Sequence, residues 1–330
     1  MTFMDFPPEP TDHSFSTMVS FHSYIKRYVA YFKLRKDIHL NHTVKHVHYD
    51  ETDKRFYLQI YDSLRRQILR RSYDFVIVAS GHFSKPYVPA IPGHFTGEAI
   101  HSHAIREFSP SCFQDKQVVI VGLQLSGIDV LMYVLKYYGS LRSLIVVCNL
   151  EFITSRKSIK SLWEGGAFVH KERITEYAGG RRVAFSDGDV REVDTLYFCT
   201  GYEYSFPFLE EGTLQRYGAG EHSKGLGPLY LRSVHVEKPG LMFVGLTENV
   251  PIIQYGLEWT AILVSQIALG RLKWSREELR ALHKAEIEYA RSYDPDLSRF
   301  HRLDHKKYDY MAFISSLKKA CRVPASFNFL

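Results

Sequence analysis

Apolar residues recur at helical spacing early in the chain, at Phe21, Tyr24, Ile25, Tyr28, Val29 and Phe32. They predict an amphipathic helix with Ser16 or Thr17 as its N-cap. The period then changes. Residues 39–47 read as extended, and Phe56, Leu58 and Ile60 alternate beyond a turn at Asp50–Lys54, as in an antiparallel hairpin with a third strand near residues 67–71. Three short runs are apolar throughout instead, Phe75–Ala79, Val118–Val121 and Leu144–Val147, and Thr195–Cys199 follows as a buried strand with Thr195 its one hydroxyl-bearing aliphatic position. Such runs predict strands buried on both faces, as in a parallel sheet. Leu241–Val244 repeats the theme and ends at Gly245. A helix beginning near Ser126 and ending at Gly139 links the second run to the third, which completes a βαβ unit over residues 118–148. Residues 182–193 form a hairpin around Asp187–Gly188, and two helices follow over residues 256–270 and 275–292.

This alternation predicts an α/β architecture. A chain of 330 residues, 45% hydrophobic and 24% charged, is long enough for two domains. The first 17 residues are Pro-rich and irregular, and the crossing Lys85–Pro86, Pro89, Pro92–Gly93 is stiff and extended, as a linker is. The expected division is 1–92, 93–200 and 201–330, the first and last parts belonging to one domain. The net charge of +6 is spread over clusters at Lys33–Lys36, Arg65–Arg71 and Lys306–Lys307. That suits an anionic small ligand and is too scattered for nucleic acid. Four cysteines (Cys112, Cys148, Cys199, Cys321) lie far apart, which argues against a disulfide framework or structural zinc and for a reducing compartment. The N-terminus lacks the pattern of a signal peptide. The most apolar C-terminal run, residues 255–270, contains Glu258 and Gln266 and falls short of the ~20 uninterrupted apolar residues of a membrane span. A soluble, cytoplasmic protein is expected. A membrane-surface role has no positive support, and the oligomeric state is not legible.

The candidate chemistry sits in Asp115–Val130, a strand, a tight turn at Gly122 and a helix. That order presents backbone N–H groups to a pyrophosphate. Gly122 and Gly127 match the first and third glycines of G-x-G-x-x-G, but Gln124 replaces the middle one. A Cβ there intrudes on the space of the pyrophosphate, and a misfit of ~2–3 kcal/mol weakens binding by about two orders of magnitude. No acid follows Val147; its absence favours NADP over NAD. Arg156 and Lys157 are the cations within reach of a 2′-phosphate. No acid/base pair or nucleophile stands out, so no catalytic side chain is named.

Three features in order resemble the flavin-containing monooxygenase family. Phe95-x-Gly97-x-x-x-His101-Ser102 is similar to its F-x-G-x-x-x-H-S motif, with Ile105 where the motif closes on Tyr or Phe. The Gly122–Gly127 turn follows, and Phe198-Cys-Thr200-Gly201-Tyr202 is similar to its A-T-G-Y segment. Residues 6–10, FPPEP, resemble the segment between its two nucleotide motifs. The resemblance implies a two-dinucleotide-binding flavoprotein fold that uses FAD and NADPH. It implies an N,N-dimethylaniline monooxygenase type of activity, in which one oxygen atom of O₂ is transferred through a flavin C4a-hydroperoxide to a tertiary amine, thioether or similar nitrogen or sulfur nucleophile and the other leaves as water. The protein then positions cofactors and excludes water.

Carried over residue by residue, the cofactor-facing positions are Gly122, Ser126, Gly127, Arg156, Lys157, His101, Ser102, Thr200 and Gly201. The resemblance also admits the endoplasmic reticulum surface as a location. Family members begin with a further strand–G-x-G-x-x-G–helix for FAD, about 80 residues or half a domain, which this sequence lacks before Phe3–Pro10. Met1 then reads as an internal position: an incomplete gene model, a shortened isoform or a degenerate paralogue. The alternative to an enzyme is an inactive binding or scaffold member. A disulfide reductase is disfavoured, because no C-x-x-C occurs. The shortened flavin domain is expected to expose a sheet edge beside Phe75–Ala79.

Overall fold

The computed structural model describes residues 2–9, 18–218, 223–248, 253–303 and 310–322. The expected caps Ser16 and Thr17 and the basic pair Lys306–Lys307 lie outside these residues. Helix α1 (Met18–Tyr31) leads into β1 (His42–Asp50), β2 (Arg55–Asp62), β3 (Gln67–Tyr73) and β4 (Val76–Val78). The middle of the chain carries β5 (Lys85–Pro86), β6 (Glu98–His101), β7 (Gln117–Val121), α2 (Leu125–Lys136), β8 (Ser143–Val147), α3 (Leu150–Thr154) and α4 (Lys157–Glu164). It continues through β9 (Val169–Lys171), β10 (Ile174–Tyr177), β11 (Arg182–Phe185), β12 (Val190–Glu192), β13 (Thr195–Phe198) and β14 (Tyr202–Glu203). Then come β15 (Gln215–Tyr217), β16 (Gly225–Gly227), β17 (Leu229–Tyr230), β18 (Val234–His235), β19 (Leu241–Phe243), α5 (Ile253–Ala268), α6 (Arg276–Arg291) and α7 (Tyr310–Ala320). Two compact units result: residues 83–203, and the flanking residues to 82 and from 204.

In the 83–203 unit, five strands in the order β6-β13-β7-β8-β9 form a parallel sheet. Why β7 is apolar at four successive positions is plain from its two faces. Val118 and Ile120 join Leu131 and Val134 of α2 and Ile153 and Ile159 of α3 and α4. Val119 packs the other way, with Ile145, Val147, Leu196 and Phe198, against Ile174, Val183 and Phe185 of the antiparallel sheet β10-β11-β12. A strand covered on both faces must be apolar on both, and each such side chain contributes about 1.5–3 kcal/mol on burial.

The Pro-punctuated crossing is not a free linker. Pro86 and Lys85 pair with Tyr202 and Glu203, Lys85 Nζ bonds the Glu203 carboxylate at 2.9 Å, and Tyr177 N–H donates to Pro92 O at 2.8 Å. Proline lacks only its own N–H; its carbonyl and its neighbours still anchor the segment to this unit.

The other unit contains the antiparallel sheet β1-β2-β3 and a four-stranded sheet, β17-β18-β19-β4, in which β19 and β4 run parallel. Helices α5, α6 and α7 bury Trp259, Leu263, Leu279, Phe313, Ile314 and Leu317 together. Ser275 caps α6, its hydroxyl accepting from Glu278 N–H while the Glu278 carboxylate reaches back to Ser275 N–H. Among the described residues β4 stands at the edge of its sheet, in agreement with the edge expected beside Phe75–Ala79. Burial on both faces does not hold there: Val78 is buried while Ile77, on the other face, is 43% exposed. An apolar run alone does not reveal which of its faces is covered. Among the described residues, no helix is long and apolar enough to cross a membrane.

Candidate nucleotide-binding site

The carbonyl ends of β6, β13 and β7 converge in the 83–203 unit. Past β7 the backbone turns at Gly122, whose φ is +93°, and Gly122 N–H donates to Val147 O at 2.8 Å. A Cβ on Gly122 would lie 2.5 Å from Cys199 O, and one on Gly127 would overlap Gly122 O. Both glycines are therefore required by close approach, the first between strand ends and the second between turn and helix.

Gln124 is the N-cap of α2, with φ −87° and ψ −162°, extended backbone open to any residue. Its side chain makes no capping bond, and the first turn of α2 carries no acid. Ile128 N–H closes the helix on Gln124 O at 2.8 Å, so the preceding N–H groups have no intrahelical acceptor. Leu125 is 82% exposed and Ser126 is exposed beside it. An uncapped helix start over a glycine turn, with a hydroxyl at Ser126, fits a dinucleotide pyrophosphate.

After β8, Asn149 accepts from Glu151 N–H at 2.9 Å and so caps α3. Arg156 is half-buried: its guanidinium donates to Phe152 O at 3.0 Å and lies 5.5 Å from the Phe152 ring centroid. Lys157, the first residue of α4, is exposed. Of the two cations, Lys157 has the freer side chain for a phosphate.

The motif residues form a node. His101 Nδ1 accepts from His103 N–H at 3.0 Å, and Nε2 lies 3.0 Å from Gly201 O. Gly201 O also accepts from Tyr87 N–H at 2.9 Å, and the Thr200 hydroxyl donates to Tyr87 O. Burial pushes the Cys199 thiol up to about 12. Burial likewise holds Cys148 at about 11, so neither thiol is poised for redox or nucleophilic chemistry. Tyr87 carried no signal in the sequence, whereas Tyr202 closes the A-T-G-Y-like segment. The Tyr202 ring meets His101 at 5.4 Å, His103 at 5.6 Å and Phe83 at 5.2 Å between centroids. Sequence carries no signal for a bond between positions more than a hundred residues apart.

A second cluster, also unforeseen, lies at the carbonyl ends of β4 and β19 in the other unit. His82 Nδ1 donates to Gly245 O at 2.7 Å, and the Tyr204 hydroxyl donates to Leu246 O at 2.7 Å. The Glu248 carboxylate stands 3.1 Å from Lys224 Nζ and 3.8 Å from His82 Nε2. His301 Nε2 donates to Leu226 O at 2.9 Å. Burial holds the His82 imidazole below the ordinary histidine range and His301 down to about 3.

With this geometry established, comparison with known proteins places the chain. The flavin-binding monooxygenase-like family matches residues 147–329, and the pyridine nucleotide-disulphide oxidoreductase family matches residues 8–223. The chain belongs to the flavin-binding monooxygenase-like family. Members are oxidoreductases that use FAD and NADPH. Senecionine N-oxygenase of Tyria jacobaeae is 28% identical over 288 residues, covering 87% of this chain and 60% of that protein. Trimethylamine monooxygenase of Methylocella silvestris is 27% identical, covering 84% of this chain and 57% of that protein. The chain thus spans about 60% of the length of the curated relatives it matches. The solved S-allyl-L-cysteine S-oxygenase of Allium sativum superposes with a TM-score of 0.75 at 22% identity over 98% of this chain and 71% of that one. The fold is accordingly the two-dinucleotide-binding flavoprotein fold.

Proposed function

We propose that this chain serves an NADPH- and O₂-dependent oxygenation of a soft nitrogen or sulfur nucleophile, a tertiary amine or a thioether, with NADPH held in the 83–203 unit. The Gly122–Gly127 turn carries this reading: two glycines demanded by close approach lead into a helix with no side-chain cap. Gly122, Ser126 and Gly127 would hold the pyrophosphate. Lys157, with Arg156 behind it, would meet the 2′-phosphate. His101, Ser102, Thr200 and Gly201 would form the wall beside the turn. NADPH, when bound, supplies the hydride that such an oxygenation consumes.

The flavin is a different matter. Outside residues 122–127, Gly218-x-Gly220 and Gly225-x-Gly227 have the G-x-G spacing without the third glycine, Gly225–Gly227 lies in β16 rather than at a helix start, and β4 stands at the edge of its sheet among the described residues. The residues present do not compose an ADP cradle for FAD, so no step is derived through it. As a 330-residue polypeptide the chain is expected to retain little or no FAD and to oxygenate negligibly. The same observation supports the second reading, a nucleotide-binding family member without catalysis. Titration with NADPH tests the first reading: saturable binding that Gly122→Ala abolishes supports it, and absence of binding by the native chain overturns it. Acceptor turnover with an amine or thioether, after adding FAD, separates enzyme from inactive member. The cytoplasm is the expected location, and the endoplasmic reticulum surface that the family resemblance admits is tested by fractionation.

A further inference from the structure

The protonation of His101 is specified by its neighbours. His103 N–H can only donate and Gly201 O can only accept, so Nδ1 is bare and Nε2 carries the proton. Only the neutral imidazole satisfies both bonds. A second proton on Nδ1 would set N–H against N–H, break the His103 bond and place a cation in a site 9% exposed. The titratable groups facing the ring are His103 on the same 3₁₀ turn and Tyr202 beyond β13, and no carboxylate among the described residues offsets the charge. Burial holds His101 below the ordinary histidine range, with Gly201 O opposing and His103 adding to the shift.

What the ring holds is next to the nucleotide turn. Gly201 O is shared between His101 and Tyr87, and two residues earlier Cys199 O packs on Gly122 so closely that a Cβ would not fit. The chain from His101 through Gly201 and Cys199 to Gly122 is continuous, and every member belongs to the 83–203 unit. We infer that His101 is a positioning residue that locks the dinucleotide-binding turn while its imidazole is neutral and releases it when Nδ1 is protonated. The inference rests on the proposed NADPH site and adds a proton-linked control to it. Above the ordinary histidine value of about 6.5 the lock is fully present, and it is lost as pH falls through the lower value that His101 has in the fold.

The test compares NADP⁺ affinity of the native chain, His101→Gln and His101→Asn across that range, by calorimetry. The 2′-phosphate itself titrates near pH ~6, and His101→Gln controls for it. The Gln amide can donate to Gly201 O without titrating, whereas Asn reaches only the His103 side. The native affinity should fall about tenfold more than that of His101→Gln on acidification, and His101→Asn should bind about tenfold more weakly throughout. Coincident pH profiles for the native chain and His101→Gln overturn the lock. Imidazole ¹⁵N shifts of His101 give a second readout that needs no nucleotide. An Nε2–H tautomer whose protonation accelerates exchange of the His103 amide supports the inference, and an Nδ1–H tautomer or an unaffected amide overturns it. If the native chain binds no NADP⁺ at any pH, the NADPH reading fails by itself and the NMR result decides the lock.

Discussion

The carbonyl end of the β6-β13-β7 strands and the carbonyl end of β4 and β19 are built from opposite materials. The first is made of backbone and neutral groups: Gly122, the uncapped start of α2, Gly201 and a His101 whose two nitrogens are both spoken for. The second is built on an ion pair, Lys224 with Glu248, beside a neutral His82 and around buried Tyr204 and His301. Open N–H groups at a helix start are a standing offer to an anion. Charges already neutralised by one another make no such offer, and they are retained at a cost in desolvation. Nucleotide affinity in this chain should therefore reside in the 83–203 unit, while the second cluster contributes to stability and acid sensitivity.

The sharpest way to break that contrast is Gly122→Ala. At φ +93° and 2.5 Å from Cys199 O, a methyl group is both strained and obstructed. NADPH affinity should drop by about two orders of magnitude or more, with ~2–4 kcal/mol lost from stability. Retained affinity in a titration would disconnect the turn from binding. On the other side, Glu248→Gln should cost about 2–4 kcal/mol in urea unfolding, because a carboxylate beside the mostly buried Lys224 is neutralised, yet leave NADPH affinity unchanged. A comparable loss of affinity would mean that the two regions do not divide the work as described.

Acid sensitivity follows from the buried imidazoles. His301, at about 3, stays neutral in the fold after it has protonated in the unfolded chain, so its contribution is fully present above about pH 6.5 and is lost as pH falls towards 3. By pH ~4 the loss is about 3 kcal/mol, and His301→Gln should flatten that limb in pH-dependent denaturant melts. Smaller effects test the nucleotide side. Lys157→Ala should weaken NADPH about tenfold and leave NADH untouched. Gln124→Gly should raise NADPH affinity several-fold if its Cβ crowds the pyrophosphate; no rise in a parallel titration would refute the steric argument.

Much of the parallel sheet was legible because Val118–Val121 and Leu144–Val147 have no polar position to spare, a pattern that double-sided burial requires. The Gly122–Gly127 turn was legible for a similar reason: glycine is needed where a Cβ collides. Other features were not. Lys85–Pro86 read as a linker because prolines suggest discontinuity, while its partner strand lies near residue 202. Phe75–Ala79 read as buried on both faces, while Phe75 and Ile77 are exposed, because an apolar run does not reveal which of its faces is covered. The node of His101 with Tyr87 and Gly201, and the Lys224–Glu248–His82 cluster, depend on long-range pairings that no local pattern encodes. Helix α7 had no counterpart in the sequence reading either, its apolar face at Tyr310, Phe313, Ile314 and Leu317 being short and following a polar stretch.

The account's central proposal is that NADPH binds in the 83–203 unit and that the chain by itself retains little or no FAD. The most direct measurement mixes the purified chain with NADPH, NADH and FAD, passes each through a desalting column and titrates binding by fluorescence. The account predicts saturable NADPH binding, weaker NADH binding and a colourless protein after exposure to FAD. A chain that emerges yellow with bound flavin and shows no affinity for NADPH would contradict it.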